Sequence, residues 1–139
     1  MKSKIIIISL ILLGAIQLVP YGKDHTNPQV VSEPKWDSPT TKAIFMRACG
    51  DCHSHETKWP WYSHIAPSSW LVFSDVMEGR EHFNVSVWGH QKVNNGHKAS
   101  QELSEGEMPP LPYLAAHPEA RLGDKEKSAL LTGLSATFM

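Results

Sequence analysis

Both cysteines of this chain fall within five residues, Cys49-Gly50-Asp51-Cys52-His53. Two thiols and an imidazole so close together can hold zinc, close a short disulfide, cycle as a dithiol redox pair, or fix a haem covalently. Cys49 and Cys52 are one helical turn apart on one face, so their sulfurs can reach the two vinyl groups of a haem while His53 projects towards the iron. This C-x-x-C-H spacing is the signature of c-type haem attachment. Each rival lacks something. A disulfide closing so short a loop contributes little stability. A thioredoxin-like pair belongs in a βαβ setting, and no β alternation of useful length occurs. A zinc site would call for a second C-x-x-C or an H-x3–5-H pair, which the 8 histidines do not form.

An iron held by His53 has an opposite side, and its occupant separates electron transfer from gas sensing or peroxide chemistry. Met108 is the favoured ligand. It lies 55 residues beyond His53 in Gly106-Glu107-Met108-Pro109-Pro110, where two prolines forbid a helix and stiffen the loop that presents the thioether. Met46 stands too near Cys49 to reach the far face, and Met77 falls on the expected core side of a helix. His55, His64, His82, His90, His97 and His117 are the rival ligands, each in a polar stretch suited to a solvated histidine.

The elements that must position these groups read as helices. Ser38-Pro39 is an N-cap and N1 pair opening a helix from Pro39 to about Asp51, with Ile44, Arg47 and Ala48 on one face. A second fits Ser68 or Ser69 to Glu78, with Trp70, Phe73 and Met77 on one stripe and Gly79 as the stop. Asn94 to Gly106 is only weakly periodic. The last runs from about Asp124 to Ala136, with Leu130, Leu134 and Phe138 spaced by four and Glu126 placed to cap on Gly123.

Length bounds the rest: 139 residues, 41% apolar and 19% charged, make one small domain with a single core. The formal charge is −1; setting aside Lys2 and Lys4 leaves 11 basic against 14 acidic residues, so the clustered Lys and Arg of a nucleic-acid footprint are absent. Lys2 and Lys4 precede the apolar run Ile5 to Val19, the pattern of an export signal. Ile5 to Tyr21 spans 17 residues, at the lower edge of what crosses a bilayer, and Gln17 to Gly22 matches a cleavage site poorly. Residues 1–22 are therefore expected to be an uncleaved membrane anchor, or a leader if cut, with the remainder outside the cytoplasm. Residues 23–35, polar and holding Pro28 and Pro34, suit a flexible tether; 36–139 form the domain.

With these motifs in hand the chain resembles the small bacterial haem-binding domain proteins, relatives of class I cytochrome c. The resemblance rests on Cys49 to Ser54, Lys58-Trp59-Pro60-Trp61-Tyr62-Ser63, Ala66-Pro67, Ser69 to Val72, Glu78-Gly79-Arg80, Trp88, Gly106-Glu107-Met108-Pro109 and His117 to Leu122. It implies an all-α, cytochrome c-like fold around covalent haem c, with His53 proximal and Met108 distal. No specific enzymatic activity comes with it. It also raises Asn94–Gly106 to a helix, although that stretch is shorter and more polar than the family's. Gly123 replaces a Ser cap, and Gly133-Leu134 stands where an aromatic commonly packs against the first domain helix.

Further roles follow as expectations. A ligating histidine donates its second ring N–H to a carbonyl, and in cytochromes c the acceptor lies in a proline loop, which points to Pro67 or else Pro60. Trp59, Trp61, Tyr62 and Trp70 would line the haem, and Arg80 would pair with a propionate. Glu102, Glu105 and Glu107 form either an acidic docking rim or a solvated face, the latter being simpler. The function expected is one-electron transfer with an unidentified redox partner, outside the cytoplasm at the membrane face. The alternative is a haem-based sensor or catalytic module with a displaceable sixth ligand.

Overall fold

The computed structural model describes residues 2–139 and builds them from helices and irregular loops. α1 covers Lys2–Ile16, α2 Pro39–Ala48, α3 Gly50–His53, α4 Ser68–His82, α5 Ala99–Glu105, α6 Leu111–Ala116 and α7 Asp124–Phe138. Single 3-10 turns lie at Trp61–His64, Gly96–Lys98 and Pro118–Ala120. Among the described residues the one β-type pairing is an isolated parallel bridge between Ser32 and Val87.

α2 starts as its caps dictate: the Ser38 hydroxyl accepts the Thr41 N–H at 3.1 Å, and Pro39 occupies the first turn. It buries Thr41, Phe45 and Ala48, one strip at i, i+4, i+7, with Ile44 only half-buried beside the core. The single helix expected to run to Asp51 is two, because Cys49 leaves the helical backbone and α3 restarts at Gly50. α7 crosses α2, and Gly133 makes the crossing close: a Cβ there would overlap the Thr41 side chain. The absent family aromatic is supplied one turn later by Phe138, whose ring meets Phe45 edge-on at 6.0 Å and stacks on Trp88 at 4.7 Å. Phe45, Phe83, Val85, Leu103, Leu130 and Leu134 are the buried core. Glu126 accepts the Gly123 N–H at 3.2 Å, the half of a capping box that a glycine cap permits.

α4 overruns the stop expected at Gly79 and continues to His82. Gly79 is a contact residue: a Cβ on it would stand 2.6 Å from the Cys52 carbonyl oxygen. Its buried residues are Ser69, Val76 and Gly79, whereas Met77, expected to face the core, is 36% exposed. The Trp70–Phe73 side of α4 lies under the amino-terminal segment, where Tyr21 meets Phe73 edge-on at 5.3 Å and Gly22 presses on the Ser69–Trp70 backbone.

Two expectations about the amino-terminal third need correction. α1 has 15 residues, about 22 Å of helix, against roughly 30 Å of bilayer hydrocarbon. Among the described residues no helix is long and apolar enough to cross a membrane, so the spanning anchor is not found; α1 ends at Ile16, and the next residue, Gln17, binds the domain. The Gln17 carboxamide donates to the Ala66 carbonyl and accepts the Ala66 N–H, both at 2.9 Å. Residues 23–35 are likewise no flexible tether. His25 stacks on Trp59 at 4.4 Å, Asn27 donates to the Thr57 carbonyl at 2.9 Å, and the Val31 and Ser32 N–H groups donate to Ser86. Polar side chains that periodicity ignores strap this segment along the domain.

Candidate functional site

The break at Cys49 shapes the site. The Cys49 N–H closes α2 on the Phe45 carbonyl at 2.7 Å, while the Cys49 carbonyl accepts from Cys52 and His53 to start the next turn. Both thiols are free. They face a cavity of about 450 Å³ walled by Phe45, Ala48, Phe83, Leu103 and Leu134. Removal from water pushes both thiols up to about 12, so they are protonated in this cavity. Among the described residues no group of three or more His, Cys, Asp or Glu side chains is placed to hold a metal ion, which leaves the zinc alternative without a ligand set.

His53 is buried and stacks on Phe83, ring centres 4.1 Å apart and planes at 14°. Its Nδ1 donates to the Phe83 carbonyl at 3.1 Å, and its own carbonyl accepts the Val85 N–H at 2.9 Å. A carbonyl can only accept, so Nδ1 carries the proton and Nε2 keeps a free lone pair. Burial lowers the His53 pKa, against the opposing pull of the Phe83 and Gly79 carbonyls, and holds the ring neutral as a ligand must be. The acceptor is thus Phe83, where Pro67 or Pro60 was expected. The Pro67 carbonyl takes the Trp70 N–H at the start of α4, and the Pro60 carbonyl takes the Ser63 N–H.

Met108 borders the same cavity, 39% exposed, in the loop between α5 and α6. α5 ends in a Schellman arrangement: Gly106 at φ +79° donates to Leu103, and Glu107 donates to Glu102 at 3.0 Å. The Met108 N–H also reaches the Glu102 carbonyl, at 3.3 Å, before Pro109 and Pro110 turn the chain along the cavity wall.

The structure therefore gathers Cys49, Cys52, His53 and Met108 around one space and sends the other expected residues elsewhere. Trp59, Trp61, Tyr62, Pro67, Trp70 and Arg80 form no part of the cavity lining. Trp59 donates to Asn27 at 3.3 Å within the strapped segment, and Trp61 is 75% exposed. The Tyr62 hydroxyl bonds His117 Nε2 at 2.7 Å, and Trp70 lies at the start of α4 beside Gly22. Arg80 is spent inside the protein, donating to the Ser54 carbonyl, Thr57 Oγ1 and Asn27 Oδ1 at 2.9, 2.9 and 3.0 Å.

The residues missed are Phe45, Phe83 and Tyr113. Phe83 acts through its ring and its carbonyl, and a carbonyl leaves no mark on a sequence. Tyr113 had a signal, an aromatic just past Met108-Pro109-Pro110. Its hydroxyl donates to Asp51 Oδ2 at 2.7 Å, tying α6 to the C-x-x-C-H turn, and burial raises its pKa so that the donor persists.

The donor set fits a haem: two thiols, an imidazole and a thioether on one apolar cavity. Comparison with known proteins gives a match over residues 11–136 to a family model described as a haem-binding domain. No curated protein and no solved structure matches.

Proposed function

The chain belongs to the haem-binding domain family, and from that premise we propose that it carries haem c on Cys49 and Cys52, with His53 and Met108 as axial ligands, and passes single electrons outside the cytoplasm. The observation that carries the reading is the convergence of those four side chains on one cavity. Haem supplies an iron that cycles between Fe(II) and Fe(III), and the protein tunes and positions it. Cys49 and Cys52, at the ends of one short turn, would hold the ring through their thiols. His53 keeps its tautomer because Phe83 accepts the Nδ1 proton. Met108, were its thioether bound to the iron, would exclude small ligands and favour the reduced state relative to a second histidine. The walls of Phe45, Phe83, Leu103 and Leu134 act in the same direction by disfavouring additional positive charge. Export is supported by Lys2 and Lys4 ahead of the apolar run.

The test is expression through an export route in cells that mature haem c, followed by oxidised and reduced spectra and a denaturing gel for attached haem. The expected product is low-spin with covalent haem and the weak long-wavelength band of iron–methionine bonding, lost in Met108→Ala. A ferrous form that binds CO as isolated would favour the sensor reading, and a colourless protein would overturn the proposal.

A further inference from the structure

Charge is unevenly distributed around the cavity mouth. α4 presents Asp75, Glu78, Gly79 and His82 to it, a single helix face at i, i+3, i+4, i+7. The acidic end lies next to Cys52: Asp75 is near enough to raise the pKa of that thiol, and its own carboxyl is raised by burial and by Glu78. His82 is seven residues on, about 10 Å along the axis, on the scale of a porphyrin's width. There the His82 carbonyl accepts the Asn95 N–H at 3.0 Å and the Lys98 N–H bonds the Asn95 carbonyl at 2.9 Å, which brings Asn95 and Lys98 to the same cavity. The neighbouring carboxamides of Gln91 and Asn94, whose oxygens accept from the Asn84 and Gly96 N–H groups, form no part of the cavity lining. Among the described residues the Lys98 ammonium enters no ion pair. Glu102, one turn beyond Lys98, is the acidic group on that wall.

We propose that Lys98, with Asn95 beside it, receives the haem propionates, which fixes the orientation of the ring with its vinyl edge at Cys49 and Cys52. The inference rests on the haem c reading above. A dianionic edge is repelled from Asp75 and attracted to an unpaired ammonium, whose three N–H donors suit carboxylate oxygens, with two more on the Asn95 amide, while the Glu78 carboxylate is faced by His82 Nε2 at 3.8 Å. Lys98 and Asn95 are positioning residues here. Arg80, the earlier candidate for this role, is already committed to Ser54, Thr57 and Asn27.

The test uses the holoprotein with haem attached and measures the reduction potential as a function of pH in the wild type and in Lys98→Met, Lys98→Arg and Lys92→Met. Removing the ammonium makes a propionate harder to ionise, so the pH at which the potential changes should rise by about one unit in Lys98→Met. Lys98→Arg should restore the wild-type profile. Lys92→Met, which removes an equal charge away from the cavity, should leave the midpoint unmoved. Coincident profiles for the two methionine variants would overturn the proposal. Failure of the underlying reading is visible earlier and separately, as a wild-type chain without covalent haem.

Discussion

Gly79 of α4 lies against the backbone of Cys52 so closely that a Cβ on it would stand 2.6 Å from the Cys52 carbonyl oxygen and 2.8 Å from the Cys52 Cβ. This contact seats the C-x-x-C-H turn on the wall of the cavity. Backbone cannot swing aside as a flexible side chain can, so Gly79→Ala must push α4 away from the turn. The expected cost is about 1–3 kcal/mol, the usual range for overpacking, read as a lower Tm of the haem-loaded protein together with a lower yield of attached haem. An unchanged Tm and yield would show that the contact does not matter.

The α2–α7 crossing makes a second steric prediction. Gly133→Ala should destabilise by about 1–3 kcal/mol because its methyl would collide with the Thr41 side chain. Thr41→Ala deletes the nearest atoms, so the double variant should lose less than the sum of the two single variants. Additive losses in denaturant titrations would mean that Gly133 and Thr41 do not couple.

Arg80 separates two readings of one residue. As a clamp on the Ser54 carbonyl, Thr57 and Asn27, its loss in Arg80→Met should cost about 2 kcal/mol, in the range for hydrogen bonds to charged groups. Hydrogen exchange should quicken over residues 24–32 and leave the reduction potential unchanged. A drop in potential with undisturbed exchange would instead return Arg80 to the haem.

The ion pair between Arg47 and Glu126, 2.6 Å apart, joins the end of α2 to the start of α7. The hydrogen bond from Arg47, followed by that from the Gly123 N–H, holds the Glu126 carboxyl below its ordinary value of 4.5. A depressed carboxylate stabilises the fold above its unfolded pKa, and that stabilisation is lost as pH falls through the folded value. The Tm difference between wild type and Glu126→Gln should therefore be present at about pH 6 and fade as the pH falls below the ordinary value of 4.5 and through the depressed folded one. It should shrink in salt, since both partners are exposed. A difference independent of pH would remove the charge from the explanation.

Several features were written in the sequence by itself. Spacing alone put Cys49, Cys52 and His53 on one turn, because a helix repeats every 3.6 residues wherever it occurs. Ser38-Pro39 marked the start of α2, Glu126 the start of α7, and Pro109-Pro110 a loop after Met108, because caps and prolines act through their immediate neighbours. What only the tertiary structure decided was everything transmitted across space by backbone or by single polar groups. The Phe83 carbonyl took the role expected of Pro67, since any residue's carbonyl can accept and only packing selects which one arrives. Gly79 looked like a helix stop because glycine's missing side chain serves equally for a terminus and for close approach, and the neighbour that distinguishes them, Cys52, is 27 positions away. Residues 23–35 looked like a tether because the contacts that bind them run from Asn27, His25 and Ser32 to Thr57, Trp59 and Trp88, leaving no period in the chain that makes them.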